Sequence, residues 1–357
     1  MKISILTPTR NRPNNCERFI KSIYNTCANR NNVELLFYVD DDDPALNSYL
    51  SLDKHCQTEY PDFYRIQFIK GEPKSVSISW NDLAGQCKGD VLIMGNDDLV
   101  YATDGWDYLL EQELKKFDND NVYVAWMEDG INGEAHCAFP IVSREWYECL
   151  GRFTPGCFHF GYNDTWIFDV GKMLNRTHFM PHIRAEHLHF SKGAPMDDTY
   201  ARNRTQEKGN LYAKDKVLFN KTRNIRLDDR NKLQELIKIS NATKLKPKNI
   251  NPEFKKDFKY IDVDKLKKEW AATGHKLKEN PLPEQTEQYE KLCESIKENG
   301  MTYPIIVAGD MRVLRGNQRV WYCIDNGLQM IGAYVINEGE MDRYIQETYI
   351  HKSKYPL

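Results

Sequence analysis

Carboxylates gather where apolar, strand-like runs give way to polar loops. Val33-Glu34-Leu35-Leu36-Phe37-Tyr38-Val39 ends in four aspartates, Asp40 to Asp43. Asp90-Val91-Leu92-Ile93-Met94-Gly95 runs into Asn96-Asp97-Asp98. Grouped carboxylates repel one another unless a cation or hydrogen-bond donors compensate them. Hard oxygen donors of this kind suit magnesium or manganese, and no CxxC pair argues for structural zinc. Further on, the aromatic stretch Phe160 to Phe168 holds an isolated acid, Asp164, of the type that can take a proton from a hydroxyl. His187 and His189 follow on a segment that reads as extended, where alternate residues face the same side.

The elements that must position these groups are legible as alternating patterns. Lys2 to Thr7 is a short apolar strand, ended by Pro8 and the polar turn Thr9 to Pro13. Helical spacing puts Phe19, Ile20, Ile23 and Tyr24 on one face. Arg65 to Ile69 is another strand, and Ser75 to Cys87 reads as a helix. Apolar strands alternating with helices predict an α/β domain with a mostly parallel sheet covered on both faces. Ligands of such sheets bind beyond the carboxyl ends of the strands, which is where the acids stand. The chain has neither GxxxxGK[ST] nor GxGxxG, so the standard ATP and dinucleotide fingerprints are missing.

Taken together, Ile3-Ser4-Ile5-Leu6-Thr7-Pro8-Thr9-Arg10-Asn11-Arg12, the aspartates after Val39 and Ile93-Met94-Gly95-Asn96-Asp97-Asp98 resemble a family 2 glycosyltransferase of the GT-A fold, over residues 1–210. The resemblance implies a Rossmann-like catalytic domain that binds a nucleotide-sugar donor, with a UDP-sugar as the first expectation. It implies that Thr7, Pro8 and Arg10 line the nucleotide site and that Asp40 contacts the nucleoside. Asn96-Asp97-Asp98 takes the place of the family's DxD-type motif, departing from it at the first position. Asp98 is then the metal ligand, with Mn2+ or Mg2+ as the ion, and Asp97 a donor contact. Asp164 matches the catalytic base of inverting members, with Asp169 in reserve. Some GT-A enzymes complete the metal shell with a histidine from the later region. Here His189 is slightly preferred to His187, and Lys192 is expected to neutralise a phosphate.

The charge is unevenly spread. Residues 1–240 hold 30 basic and 35 acidic groups, whereas residues 241–357 hold 19 and 17, so the final segment is slightly basic. The lysine-rich stretch 241–257 reads as a solvated linker between a catalytic domain, 1–240, and a second small α/β domain, 258–357. In that domain Ser295-Ile296, Gly300, Pro304-Ile305-Ile306-Val307 and Arg315-Gly316-Asn317-Gln318-Arg319 resemble the N-terminal domain of ParB-like proteins. The resemblance implies a phosphate or nucleic-acid contact by Arg315, Gly316 and Arg319. Asn317-Gln318 departs from the family's usual pair.

Composition excludes some classes. A formal charge of −3 over 357 residues argues against a protein that coats nucleic acid through uniform basicity. No apolar run is long enough for a membrane span, and the first residues do not read as a secretion signal. Nine cysteines without CxxC pairs read as reduced thiols, hence a cytoplasmic setting, that of the host if the source is viral. The expectation is a metal-dependent, inverting glycosyltransferase. Coupling to a ParB-like module makes a hydroxymethylated pyrimidine in viral DNA a candidate acceptor beside a saccharide or protein. The rivals are a non-catalytic nucleic-acid-associated binding protein and a nucleotidyltransferase, which would want a second metal-binding acid where Asn96 stands.

Overall fold

The computed structural model describes residues 1–118, 120–189, 209–243, 247, 250–251, 254, 257–272 and 286–349. The chain divides into two compact units, Met1–Gln234 and Glu235–Leu357. In the first, β1 (Ile3–Thr9), β2 (Val33–Asp40), β3 (Arg65–Gly71) and β4 (Val91–Met94) are parallel, in the order β3-β2-β1-β4. Seven of the eight residues of β2 are buried, as a central strand covered on both faces requires. The helices α1 (Pro13–Thr26), α2 (Leu46–Glu59) and α3 (Val76–Gln86) follow the first three strands. Pro13 opens α1; of the predicted stripe Phe19, Ile20 and Ile23 are buried and Tyr24 is half-buried, and Cys16 joins the buried face. Phe19 meets Phe37 edge-on, and Phe37 stacks on Phe68 with centroids 4.4 Å apart.

Two sequence expectations need correction. Pro8 does not end β1, which continues to Thr9 with Pro8 opposite Tyr38. The β4 ladder stops at Leu6, so at Pro8 the strand has one neighbour and the missing amide is tolerated. The sheet is also less parallel than expected. Beyond β4 come β7 (Ile141–Ser143), β6 (Val124–Glu128), β8 (Thr177–His187) and β5 (Leu99–Tyr101), and only β6 and β8 of these are parallel neighbours. The short β5 and β7, three residues each, carry no period that a sequence pattern could reveal.

The remaining helices of this unit are α4 (Trp106–Leu114), α5 (Arg144–Leu150), α6 (Asn163–Met173), α7 (Leu211–Lys221) and the part up to Gln234 of α8 (Arg223–Thr243). Side chains of α7 and α8 fix the region around α6. Arg226 pairs with Asp169 at 2.7 Å, and Asp229 accepts from Arg152 and from the Trp166 indole. Asp215 is buried and accepts the backbone amides of His159, Phe160 and Gly161. Removing its carboxylate leaves those amides without their acceptor. We therefore expect Asp215→Ala to destabilise the first unit by on the order of 3 kcal/mol, measurable in its urea unfolding transition. An unchanged midpoint would show that the three bonds hold nothing.

The second unit has a four-stranded sheet, β11-β10-β12-β9, from β9 (Phe258–Asp262), β10 (Ile305–Ala308), β11 (Val313–Arg315) and β12 (Met330–Ile336). Its helices are α9 (Val263–Ala272), α10 (Thr286–Asn299), α11 (Asn317–Asp325) and α12 (Met341–Tyr349). The stretch 241–257 is not simply a solvated linker: α8 runs to Thr243, and Phe254 is buried, stacked 3.9 Å from Tyr344. An aromatic ring is lost in a lysine count, yet it supplies the area that burial rewards. Gly316 precedes α11 at φ +103°, and a Cβ there would stand 2.6 Å from Ile305. Both the backbone angle and the close approach demand glycine at that turn.

Candidate active site

The carboxyl ends of β1, β2 and β4 open on a cleft of about 960 Å³. Pro8, Arg10, Asp40, Asp98, Asp164, His187 and His189 all line it, brought together from positions up to 181 residues apart. Trp80, with its indole donating to Leu6 O at 3.0 Å, forms part of the wall, as do Phe139, Tyr162 and Tyr212.

On one side Arg10 donates to Asp40 at 2.7 Å and to Asp42. The bond to Asp42 and that to Asp40 together raise the guanidinium above its ordinary value, although burial opposes this. Burial pushes the Asp40 carboxyl up, with Arg10 holding it back. Of the other aspartates in this loop, Asp43 is structural: it is buried and accepts the amides of Asn11 and Ala45.

The loop after β4 is fixed by Gly95. Its amide bonds to Leu6 O at 2.8 Å, and a Cβ on it would lie 2.2 Å from the Thr7 hydroxyl. This close crossing sets the direction of the next three side chains. Asp97 turns inward: it is fully buried, accepts from the Thr9 hydroxyl and pairs with Arg12 at 3.1 Å. Asp98 faces the cleft. The expectations for Thr7 and Asp97 as direct donor contacts are therefore corrected. Both are wholly buried behind the cleft wall, where they support the loops that line it.

β5 follows Asp98 directly, and Leu99 pairs with His187 at the end of β8. Leu188 N bonds to Asp98 O at 2.9 Å, and His187 Nε2 lies 3.2 Å from Asp98 Oδ2. The slight preference for His189 is thus reversed in geometry. The strand ends at His187, so alternation no longer places the later residue, although His189 still lines the cleft with its ring 5.1 Å from that of His187. Asp98 Oδ1 and His187 Nδ1 are buried without a hydrogen-bond partner, an expensive arrangement for polar atoms that no ligand satisfies. Among the described residues no group of three His, Cys, Asp or Glu side chains is set to hold a metal by itself. Lys192 lies outside the described residues.

Asp164, which also lines the cleft, stands in the first turn of α6. Tyr162 before it holds a left-handed backbone, φ +66°, which is unusual for an aromatic residue and is braced by rings of Tyr212 and Phe219, each 5.2 Å away. Asp164 Oδ2 lies 2.9 Å from His136 Nε2. Asp169, the reserve base, does not line the cleft; its pairing with Arg226 gives it a structural place instead. Sequence reading missed His136, His159, Trp80 and Lys74, all of which line the cleft. They sit in turns or on helices with no motif around them, so no local signal marks them.

Residues 4–135 match the family model described as "Glycosyl transferase family 2". The α/β fold with its large mixed sheet is consistent with GT-A. Among solved structures, the chain is similar to the mannosyltransferase PcManGT from Pyrobaculum calidifontis in complex with GDP-Man and Mn2+. That likeness has 13% identity, covers 92% of this chain and 84% of that one, and has a TM-score of 0.44. It is also similar to S. aureus TarS 1-349, at 12% identity over 69% of this chain and 85% of that one, with a TM-score of 0.41. No curated protein matches the sequence significantly. Among the described residues no helix is long and apolar enough to cross a membrane.

Proposed function

We propose that the chain is a glycosyltransferase that moves a sugar from a nucleotide-sugar donor to an acceptor hydroxyl with inversion, aided by a divalent cation. One observation carries this reading: Arg10, Asp40, Asp98, His187 and Asp164 converge on a single cleft at the carboxyl ends of the parallel strands. The family 2 match over residues 4–135 supports it. Arg10 and Asp40, with Pro8 beside them, would hold the nucleoside end of the donor.

Asp98 and His187 would hold the cation, with His189 near them. The donor set fits a hard ion, since the carboxylate keeps one oxygen buried and unpartnered, and Mg2+ or Mn2+ takes its remaining ligands from water and diphosphate oxygens. When bound, the ion neutralises negative charge on the departing diphosphate. Asp164, in the same cleft, would take the acceptor proton. The acceptor oxygen bonds to the anomeric carbon as the carbon–phosphate oxygen bond breaks and its electron pair leaves on the diphosphate. Lys192 is retained as a proposed phosphate contact.

Calorimetric titration of UDP-glucose, UDP-N-acetylglucosamine and GDP-mannose with Mn2+ present tests the donor. At least one is expected to bind, and binding should vanish with EDTA. Failure of every sugar nucleotide would overturn the reading. Hydroxymethylated-pyrimidine DNA and a saccharide are the two acceptor arms of the transfer assay that follows. We further propose the second unit as a ParB-like, phosphate-contacting module acting through Arg315, Gly316 and Arg319, supported by the sequence resemblance and by the left-handed Gly316 before α11.

A further inference from the structure

We infer that His136 is a positioning residue for Asp164: it fixes one carboxylate oxygen and thereby sets how well the other is aimed. The inference rests on the reading of Asp164 as the base. His136 Nε2 lies 2.9 Å from Asp164 Oδ2, and the imidazole lies edge-on to Phe168 with centroids 5.7 Å apart and planes at 79°. One contact fixes the ring's distance to the carboxylate and the other fixes its tilt.

The segment that presents His136 is itself tightly held. Asp129 is buried, and one of its oxygens accepts the amides of Ile131 and Asn132 while the other accepts the Asn132 side chain. Trp126 donates its indole N–H to Gly133 O at 2.9 Å. Asp129 O also accepts the amide of His187, so the same turn is tied to the end of β8. A surface histidine with a chance partner has no such support. Thr165 donates to the second oxygen of Asp164 only at 3.3 Å, which leaves that oxygen the more available of the two.

Three charged groups act on the imidazole. Asp164 raises its pKa above the ordinary histidine value through the hydrogen bond and its charge; burial opposes this, Asp129 adds to the rise, and Lys172 on α6 lowers it. The ion pair is therefore lost as pH rises through the raised value. After the proton leaves, the neutral ring still donates to Asp164 through Nε2–H, so the hydrogen bond that holds the carboxylate persists. During transfer the acceptor proton goes to Asp164, and His136 only holds its hydrogen bond.

Two measurements test this. In wild type the His136 ring, followed by NMR through its Cε1 signal, should titrate above about 6.5, the ordinary histidine value. In Asp164→Asn, which keeps the shape and removes the charge, it should titrate lower. No difference between the two proteins overturns the pairing. With the donor that binds in the calorimetric panel, His136→Ala should lower kcat about 10- to 100-fold with donor KM little changed, the penalty expected for a misplaced reacting group. His136→Gln, which restores a donor without a titrating ring, should recover most of that loss. If His136→Gln recovers nothing, or His136→Ala keeps wild-type kcat, the positioning role is wrong. Asp164→Ala is run alongside. Full activity in that variant removes the base assignment itself, whereas loss there with no effect at His136 removes only this inference.

Discussion

Replacing Asp98 with alanine is expected to lower metal-dependent affinity for the sugar-nucleotide donor by at least about 100-fold. Outer-shell partners of metal ligands alone are worth about 10–100-fold, and a direct ligand should cost no less. Asp98 is the acid that the β4 loop turns into the cleft, and one of its oxygens is buried without a partner. His187, 3.2 Å from the other oxygen, is the remaining protein group of the pair. Calorimetry with and without Mn2+ separates the outcomes. Residual binding that no longer responds to the metal would confirm that Asp98 holds the ion. Unchanged, metal-sensitive binding would move the ion's site elsewhere. Asp97→Ala is a contrasting control: its carboxylate ties Thr9 and Arg12 together inside the fold, so its principal expected cost is stability.

The second large effect is expected at Asp164. Asp164→Asn should keep donor affinity and lower kcat by about 10²- to 10⁴-fold, the usual worth of a positioned general base. Asparagine retains the shape and can still meet His136, yet it cannot take the acceptor proton. The kinetic signature is a fall in kcat with donor KM preserved, read from nucleoside diphosphate release in the presence of acceptor. Normal transfer by this variant would remove Asp164 as the base and with it the expectation of inversion by this residue. The position in the first turn of α6 gives the acid a second role, since a carboxylate there is favoured by the helix dipole. A modest loss of stability in the variant is therefore compatible with the catalytic assignment, whereas full activity is not.

How the two acids of the β4 loop differ shows where sequence reading stops. Asp97 and Asp98 are neighbours of identical chemistry, and only their places in the motif that the resemblance supplies told them apart. Their directions are set by Gly95 crossing β1 with no room for a side chain, a contact across the sheet that no window of sequence contains. His187 and His189 are a similar case. Extended spacing put them on one side, but the strand ends at His187, and its pairing with Leu99 brings that ring to Asp98. Asp169, the reserve to Asp164 in the same helical stretch, is paired with Arg226 from a helix more than fifty residues later.

By itself the sequence determined what short-range physics can determine. Apolar runs rich in branched and aromatic residues became buried parallel strands, helical spacing buried the face of α1, and acids just past the strand ends came to line a cleft. Those features follow because alternation and burial act over a few residues, and because loops at the carboxyl ends of parallel strands necessarily meet at one edge of the sheet. Only the tertiary structure decided which member of each candidate set faces the cleft and what holds it there. His136 beside Asp164 and Asp215 beneath the 159–161 loop are the plainest instances. Their partners lie 28 and about 55 residues away, and a hydrogen bond over that separation depends on how elements pack, which the spacing of residues along the chain does not encode.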